Sequence, residues 1–363
     1  MYLHSLGLTN FKNYKSISHE FSENLNLITG ANGTGKTNLL DAIHYLCNTK
    51  SAFLSSDSLA IKHEHDFFRI EGHFKEEGKN IKIECISQNG IGKTFLIEGK
   101  HPDKLANHVG RFPLVIVSPY DTDLIREGSD IRRKFFDLIL SQSNSEYLNK
   151  LISYNRLLKQ RNAALKQLAE TRKSNPSLLQ SYDQQLLPIN FYIAKTRSTF
   201  IENFTPKIEN AYQKLVERDE KPNIKYQTVV EEKEIFETIF LQNQTQDIAA
   251  QRTMLGIHTD DYEFSFNNSS LKRYGSQGQQ KTFVLALKLA HFEFIQNVNG
   301  KKSILMLDDI FDRLDAERVS NLSKMIINKE FGQVFITDTS SNRTNILFNE
   351  ISRNNINEIN TYC

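Results

Sequence analysis

Gly30-Ala31-Asn32-Gly33-Thr34-Gly35-Lys36-Thr37 is the stretch on which the fold turns. It fits G-x-x-x-x-G-K-[ST] at every fixed position and has the required surroundings. Asn24-Leu25-Asn26-Leu27-Ile28 before it reads as a short strand. Thr37 to Asn48 after it reads as a helix, with Leu39, Leu40, Ile43, Leu46 and Cys47 on one face. The chemistry of a phosphate accounts for the residue types. Glycines let successive backbone N–H groups turn inward around its oxygens, and the helix N-terminus adds partial positive charge. Lys36 reaches the β- and γ-phosphates of a nucleoside triphosphate, and the Thr37 hydroxyl is a ligand for Mg²⁺.

Far downstream stands Ile304-Leu305-Met306-Leu307-Asp308-Asp309. Four apolar residues on a buried strand deliver Asp308 to its carboxyl end, where it can hold Mg²⁺. Asp309 is placed to orient or deprotonate an attacking water. Asp308 comes more than 270 residues after Gly30. Something large is therefore spliced into the nucleotide fold.

The texture of the chain shows where. Short alternating runs from Phe67 to Glu98, parted by Gly78 and Gly90, read as an antiparallel meander. Leu114-Val115-Ile116-Val117 suits a buried parallel strand. From Ile131 to about Leu255 nearly every window has helical spacing, with prolines at 176, 188, 206 and 222 as punctuation and Lys221-Pro222-Asn223 as a loop. These helices would run to about 25–40 residues, or roughly 40–60 Å. From Tyr262 the pattern returns to α/β. Tyr262 to Phe266 and Gln333 to Thr337 read as strands, Asn267-Asn268 as a hairpin turn, and Gln279–Asn297 and Ala316–Ile327 as helices. The expected organisation is an α/β head, with a mixed sheet and an antiparallel meander, made from residues 1–125 and 255–363. An inserted all-helical arm, residues 126–254, separates the two parts.

Composition narrows the function classes. The 45 Lys and Arg against 43 Asp and Glu leave a formal net charge of +2, which excludes nucleic-acid binding by bulk charge but not by a local face. Residues 126 to 173 carry 11 Lys and Arg against 5 acids, so Arg132, Arg133 and Lys134 at the start of the arm are candidate phosphate contacts to DNA. Three cysteines, Cys47, Cys85 and Cys363, make no disulfide framework and lack zinc spacing. No long apolar run predicts a membrane span, and the first residues lack a basic lead before an apolar core, so a cytoplasmic protein with no membrane partner is expected.

A second anion site precedes the long helix before Asp308, at Gly275-Ser276-Gln277-Gly278-Gln279-Gln280-Lys281. One chain with two such sites follows the logic of ABC-type ATPases: two heads sandwich two ATPs, and each presents its signature serine to the γ-phosphate held by the other. Here the resemblance becomes specific. The chain resembles the RecF family of bacterial recombination-repair ATPases and, less closely, the heads of SMC proteins. The segments that carry the resemblance are Asn10-Phe11-Lys12-Asn13-Tyr14, the phosphate loop with Asn38-Leu39-Leu40-Asp41, Ser118-Pro119, Arg132-Arg133-Lys134-Phe135-Phe136-Asp137, Ser276 to Thr282, and Asp308 to Asp315. Gly256-Ile257-His258-Thr259-Asp260-Asp261 resembles the family's G-P-H-R-D-D but departs at Ile257 and Thr259, and Tyr120 and Thr122 depart from its S-P-E-D-L.

The resemblance implies an ABC-type head that binds ATP and Mg²⁺ and dimerises on ATP. It implies binding to duplex DNA and single-strand/double-strand junctions, and loading of recombinase at gaps with RecO and RecR. ATP turnover would be slow and DNA-stimulated. It implies nucleotide contacts from Lys12, from Gly30 through Asn38, and from Ser276, Gln277, Gly278 and Gln279. The metal would sit at Thr37 and Asp308, catalysis would rest on Asp309, Lys36 and Ser276, and Asp315 would lie at the dimer interface. The alternative is an OLD-like or other SMC-related ABC ATPase acting on DNA; an OLD-like enzyme needs an extra acidic metal domain, and the arm offers no clustered acids. Thr337-Asp338-Thr339 lacks the switch histidine of transporter ATPases, which argues against a transport subunit.

Overall fold

The computed structural model describes residues 1–171, 176–216, 220–311, 314–340, 347–348 and 356–361. Asp312, Arg313 and Cys363 lie outside them. The strands are β1 (Tyr2–Phe11), β2 (Tyr14–Glu20), β3 (Leu25–Thr29), β4 (Phe67–Glu76), β5 (Lys79–Gln88), β6 (Gly92–Ile97), β7 (Leu114–Val117), β8 (Pro222–Gln227), β9 (Asp261–Phe266), β10 (Ser269–Ser270), β11 (Ile304–Asp308), β12 (Val334–Asp338) and β13 (Ile356–Asn360). The helices are α1 (Lys36–Asn48), α2 (Asp123–Arg126), α3 (Ser129–Ser143), α4 (Ser145–Thr171), α5 (Pro176–Leu215), α6 (Lys233–Gln242), α7 (Gln244–Ala250), α8 (Leu271–Tyr274), α9 (Gln277–Asn299) and α10 (Ala316–Ile327). None is long and apolar enough to cross a membrane, among the described residues.

The chain divides into two compact units. One comprises Met1–Thr122, Asn210–Arg218 and Lys281–Cys363, the other Asp123–Glu209 and Asp219–Gln280. The second unit thus reaches past residue 255, because β9 pairs antiparallel with β8, Ile224 opposite Phe264, and draws the segment up to the signature with it. The arm segment is therefore not all helical. Pro222 opens β8 instead of making a loop, since a strand's first residue tolerates a missing N–H, and the buried Pro222 and Ile224 alternate with exposed neighbours.

In the first unit the two kinds of strand pairing are segregated. β2-β1-β4-β5-β6 form an antiparallel sheet; β13-β3-β12-β11-β7 form a second sheet paired in parallel throughout. Helix α1 packs in one apolar cluster with both: Leu40, Ile43 and Leu46 join Leu3, Phe68 and Ile70 of the meander and Ile28, Met306 and Phe335 of the parallel sheet. The sequence predicts one apolar face for α1, whereas burial runs around it from Leu39 to Asn48. Polar residues on the far side survive there because they are paired: Asp41 accepts from Ser51 Oγ at 2.7 Å and the Ala52 N–H at 2.7 Å, and His44 Nδ1 bonds Lys50 O at 2.8 Å. Gly72 allows the close approach, since a Cβ there would stand 2.3 Å from Leu46 Cδ1.

The second unit is built around Phe136 of α3, whose ring lies 4.1 Å from that of Tyr262 and 6.4 Å from that of Phe204. The sequence treats Pro188 and Pro206 as breaks, yet both fall inside α5, a helix of 40 residues. Each proline forfeits about 3 kcal/mol of helix stability. The buried Leu186, Ile189, Ile193, Phe204 and Ile208 flanking them offset that loss.

Candidate functional site

The phosphate loop leaves the carboxyl end of β3 and runs straight into α1. Its tip, Ala31 to Gly33, is exposed, while Thr34, Gly35 and Lys36 are buried. Gly35 has φ 102°, and a Cβ there would stand 2.5 Å from Asn13 Nδ2 and 2.8 Å from the Tyr14 hydroxyl. Only glycine satisfies both constraints. The β1–β2 turn thus closes on the loop: Asn13 Nδ2 donates to Thr34 O at 3.2 Å, and Asn13 Oδ1 accepts from Asn38 Nδ2 at 2.8 Å. Lys36 Nζ folds back on the loop and donates to Gly30 O at 3.0 Å and Ala31 O at 3.1 Å.

The acid pair arrives from β11. Thr37 Oγ1 stands 2.9 and 3.0 Å from the two Asp308 carboxylate oxygens, joining elements 271 residues apart. Burial pushes the Asp308 carboxyl up from its ordinary range, against the hydroxyls of Thr337 and Thr37, which pull it down, while the neighbouring Asp309 adds to the rise. Asp309 follows in the left-handed region at φ 46°, and its Oδ1 is buried with no hydrogen-bond partner among the described residues. An acceptor left open beside a carboxylate and a threonine hydroxyl fits the oxygen-only donor set that Mg²⁺ and its waters take.

Other expected residues sit elsewhere. Lys12 Nζ lies 2.7 Å from Asp41 Oδ2, with the rings of Phe11 and Phe53 within 5.7 Å, so its ammonium rests on α1 and not on the loop. Ser276, Gln277, Gly278 and Gln279 belong to the second unit. Ser276 Oγ accepts from the Gln279 N–H at 3.2 Å and Gln279 Oε1 from the Ser276 N–H at 2.8 Å, a reciprocal capping box that holds the start of α9, with Ser276 and Gln277 exposed. Asp315 caps α10 through the Arg318 N–H at 3.1 Å.

The basic trio is split. Arg132 is buried and forks onto Asp261 at 2.7 and 3.0 Å, with further bonds to Leu124 O and Glu127 O. Arg133 is half-buried and donates to Asp260 O at 2.6 Å. Lys134 is 79% exposed and, among the described residues, pairs only with Asp130 one turn away, so it is the member that faces water. The segment Gly256 to Asp261 turns out to be a structural hub. Arg197 binds Ile257 O at 2.9 Å and Asp260 at 2.7 Å, and His258 Nδ1 meets the Tyr154 hydroxyl at 2.7 Å. Thr259, where the family pattern has arginine, bonds Gly256 O at 2.7 Å within its own turn.

Three site residues escape a reading of the sequence. Asn13 lies in a segment that carries the resemblance, but the resemblance gives it no role. Thr337 is the next-to-last residue of β12, directly opposite Asp308 in register. Thr361 follows β13, and its Oγ1 stands 2.7 Å from Thr34 Oγ1. The strand pattern around Thr337 is legible in the sequence; nothing local marks Thr361.

The chain matches the RecF/RecN/SMC N-terminal domain family over residues 2–353. The DNA replication and repair protein RecF of Cytophaga hutchinsonii is 42% identical to it over 96% of this chain and 92% of that one. The RecF protein of Flavobacterium johnsoniae is 40% identical over 95% of this chain and 96% of its own. A solved structure of the recombination mediator protein RecF with ATP, in the RecFOR pathway, superposes with a TM-score of 0.87 at 30% identity, covering 94% of this chain and 92% of that one. With the phosphate loop, the acid pair and the parallel sheet that joins them, these matches place the chain in the RecF/RecN/SMC family, on its RecF branch.

Proposed function

We propose that this chain is an ATP-switched DNA-binding protein of recombinational repair and replication restart. The observation that carries the reading is the 2.9 Å contact between Thr37 and Asp308, which assembles a nucleotide site from two ends of the chain. Its relatives named for DNA replication and repair match nearly end to end and support the process.

ATP is bound by the loop from Gly30 to Asn38, with Lys36 swinging from the Gly30 and Ala31 carbonyls to the β- and γ-phosphates. Mg²⁺, held by Thr37 and Asp308, would neutralise charge on those phosphates. Asp309 orients the attacking water and takes its proton. Ser276, Gln277, Gly278 and Gln279 of one copy complete the site of a second copy, so ATP drives dimerisation, with Asp315 at the dimer interface. The head is supplied chiefly by the first compact unit and the arm by the second. The closed dimer grips duplex DNA near single-strand junctions in the cytoplasm, slow DNA-stimulated hydrolysis releases it, and RecO and RecR act with it to load recombinase.

Lys36→Met tests the switch. The variant removes the charge that engages the phosphates and is expected to lose ATP-dependent dimerisation and DNA retention together, read by light scattering and filter binding. Retention of both at wild-type levels would refute the reading. The arm's part in DNA binding is tested by Arg133→Glu with Lys134→Glu, leaving the buried Arg132 untouched. Affinity should fall and the slope of log K against log salt should flatten by about one for each lost phosphate contact. An unchanged slope moves the DNA site elsewhere.

A further inference from the structure

We propose that Thr337 is the positioning residue of the hydrolytic site, setting Asp309 for catalysis while taking no part in nucleotide binding. The proposal rests on the reading of Asp309 as the residue that activates water. Thr337 and Asp308 are register partners at the carboxyl ends of β12 and β11. The Thr337 side chain is wholly buried. Its one hydroxyl hydrogen goes to Asp308 Oδ1 at 2.8 Å, and its oxygen accepts the Asp309 N–H at 2.9 Å. A single hydroxyl therefore serves both acids, as donor to one and acceptor from the other.

The second bond has a specific task. Asp309 is not glycine, yet it sits at φ 46°, a region that costs an L-residue energy and persists only where the surroundings impose it. The Asp309 N–H bond to Thr337 ties that turn to the neighbouring strand. The turn carries the Asp309 side chain off the line of β11, where its Oδ1 is left open among the described residues. Without the tie the carboxylate has more than one direction available, and a small displacement of a catalytic group costs much of its effect. Thr337 has no bond to Lys36 or to the loop carbonyls that Lys36 engages.

The test compares Thr337→Val, which keeps the β-branched shape and removes both hydrogen bonds, with Thr337→Ser, which keeps the hydroxyl. The Val variant is expected to lower kcat at least tenfold, to bind a fluorescent ATP analogue within twofold of wild type, and to lengthen the lifetime of the ATP-bound dimer in proportion. The Ser variant should restore kcat to within about threefold. In an Asp309→Asn background, Thr337→Val should lower kcat no further. Wild-type kcat in the Val variant, beside a slow Asp309→Asn, overturns the positioning role alone. Parallel loss of ATP affinity, thermal stability and kcat, unrescued by Ser, overturns it in favour of a merely structural residue. Wild-type hydrolysis by Asp309→Asn refutes the reading of Asp309, and this proposal with it.

Discussion

Asp309→Asn is expected to slow ATP hydrolysis by 10²- to 10⁴-fold while ATP binding and dimerisation persist. Removing a positioned general base forfeits that factor, which amounts to about 3–5 kcal/mol of barrier. The substitution is nearly isosteric and leaves the backbone N–H that bonds Thr337 in place. Asp308, Thr37 and Lys36 keep their own contacts, so the ground-state complex is spared. Binding and chemistry should therefore separate: phosphate release in a single turnover stops, and the dimer accumulates under saturating ATP. Hydrolysis within threefold of wild type would exclude Asp309 as the base. A monomer under saturating ATP would count against the shared site.

Arg197→Met is expected to destabilise the second unit by about 3–5 kcal/mol, the cost of leaving buried charges without their partner. Arg197 reaches Asp137 at 2.8 Å, Asp260 at 2.7 Å, Ile257 O at 2.9 Å and the Tyr147 hydroxyl at 3.1 Å, and is itself 1% exposed. The substitution removes the hub from α3, α5 and the Gly256–Asp261 segment at once. Burial already pushes the Asp260 carboxyl up, and Arg197 opposes that rise, so without the arginine Asp260 takes up a proton or stays charged at a higher cost. Against a typical net stability of 5–15 kcal/mol, the loss is a large fraction of the whole. Arg197→Lys should recover little, because an ammonium cannot reproduce the planar fork. Urea unfolding followed by circular dichroism checks the magnitude, and a loss under about 1 kcal/mol would show that the network is replaceable.

The two predictions differ in how much of their basis is legible before folding. Asp309 is marked by four apolar residues ahead of an acid pair, because a strand of fixed pleat puts its last side chains at the sheet's carboxyl edge whatever surrounds it. Arg197 lies within a helical pattern that gives no hint of a buried charge, since burial depends on what packs against that face. Lys12 shows the same limit from the other side. A family pattern suggests the phosphates for it, but Asp41, within reach at 2.7 Å, takes its ammonium in this structure.

The arm divides in the same way. Helical spacing foretells α4 and α5, yet whether a proline interrupts α5 depends on apolar burial that outweighs one lost hydrogen bond. The basic stretch reads as a surface, but Arg132 belongs to Asp261, 129 residues away.

By itself the sequence determined the phosphate loop, the acid pair and the long helix α9, because each rests on spacings of a few residues along a helix, strand or turn. Only the tertiary structure decided that Thr37 meets Asp308, that Thr337 serves both acids, that Thr361 abuts the loop and that Arg132 is buried. Those contacts join residues 28 to 327 positions apart. Which strand lies beside which is settled by how the whole apolar core closes, not by any local pattern.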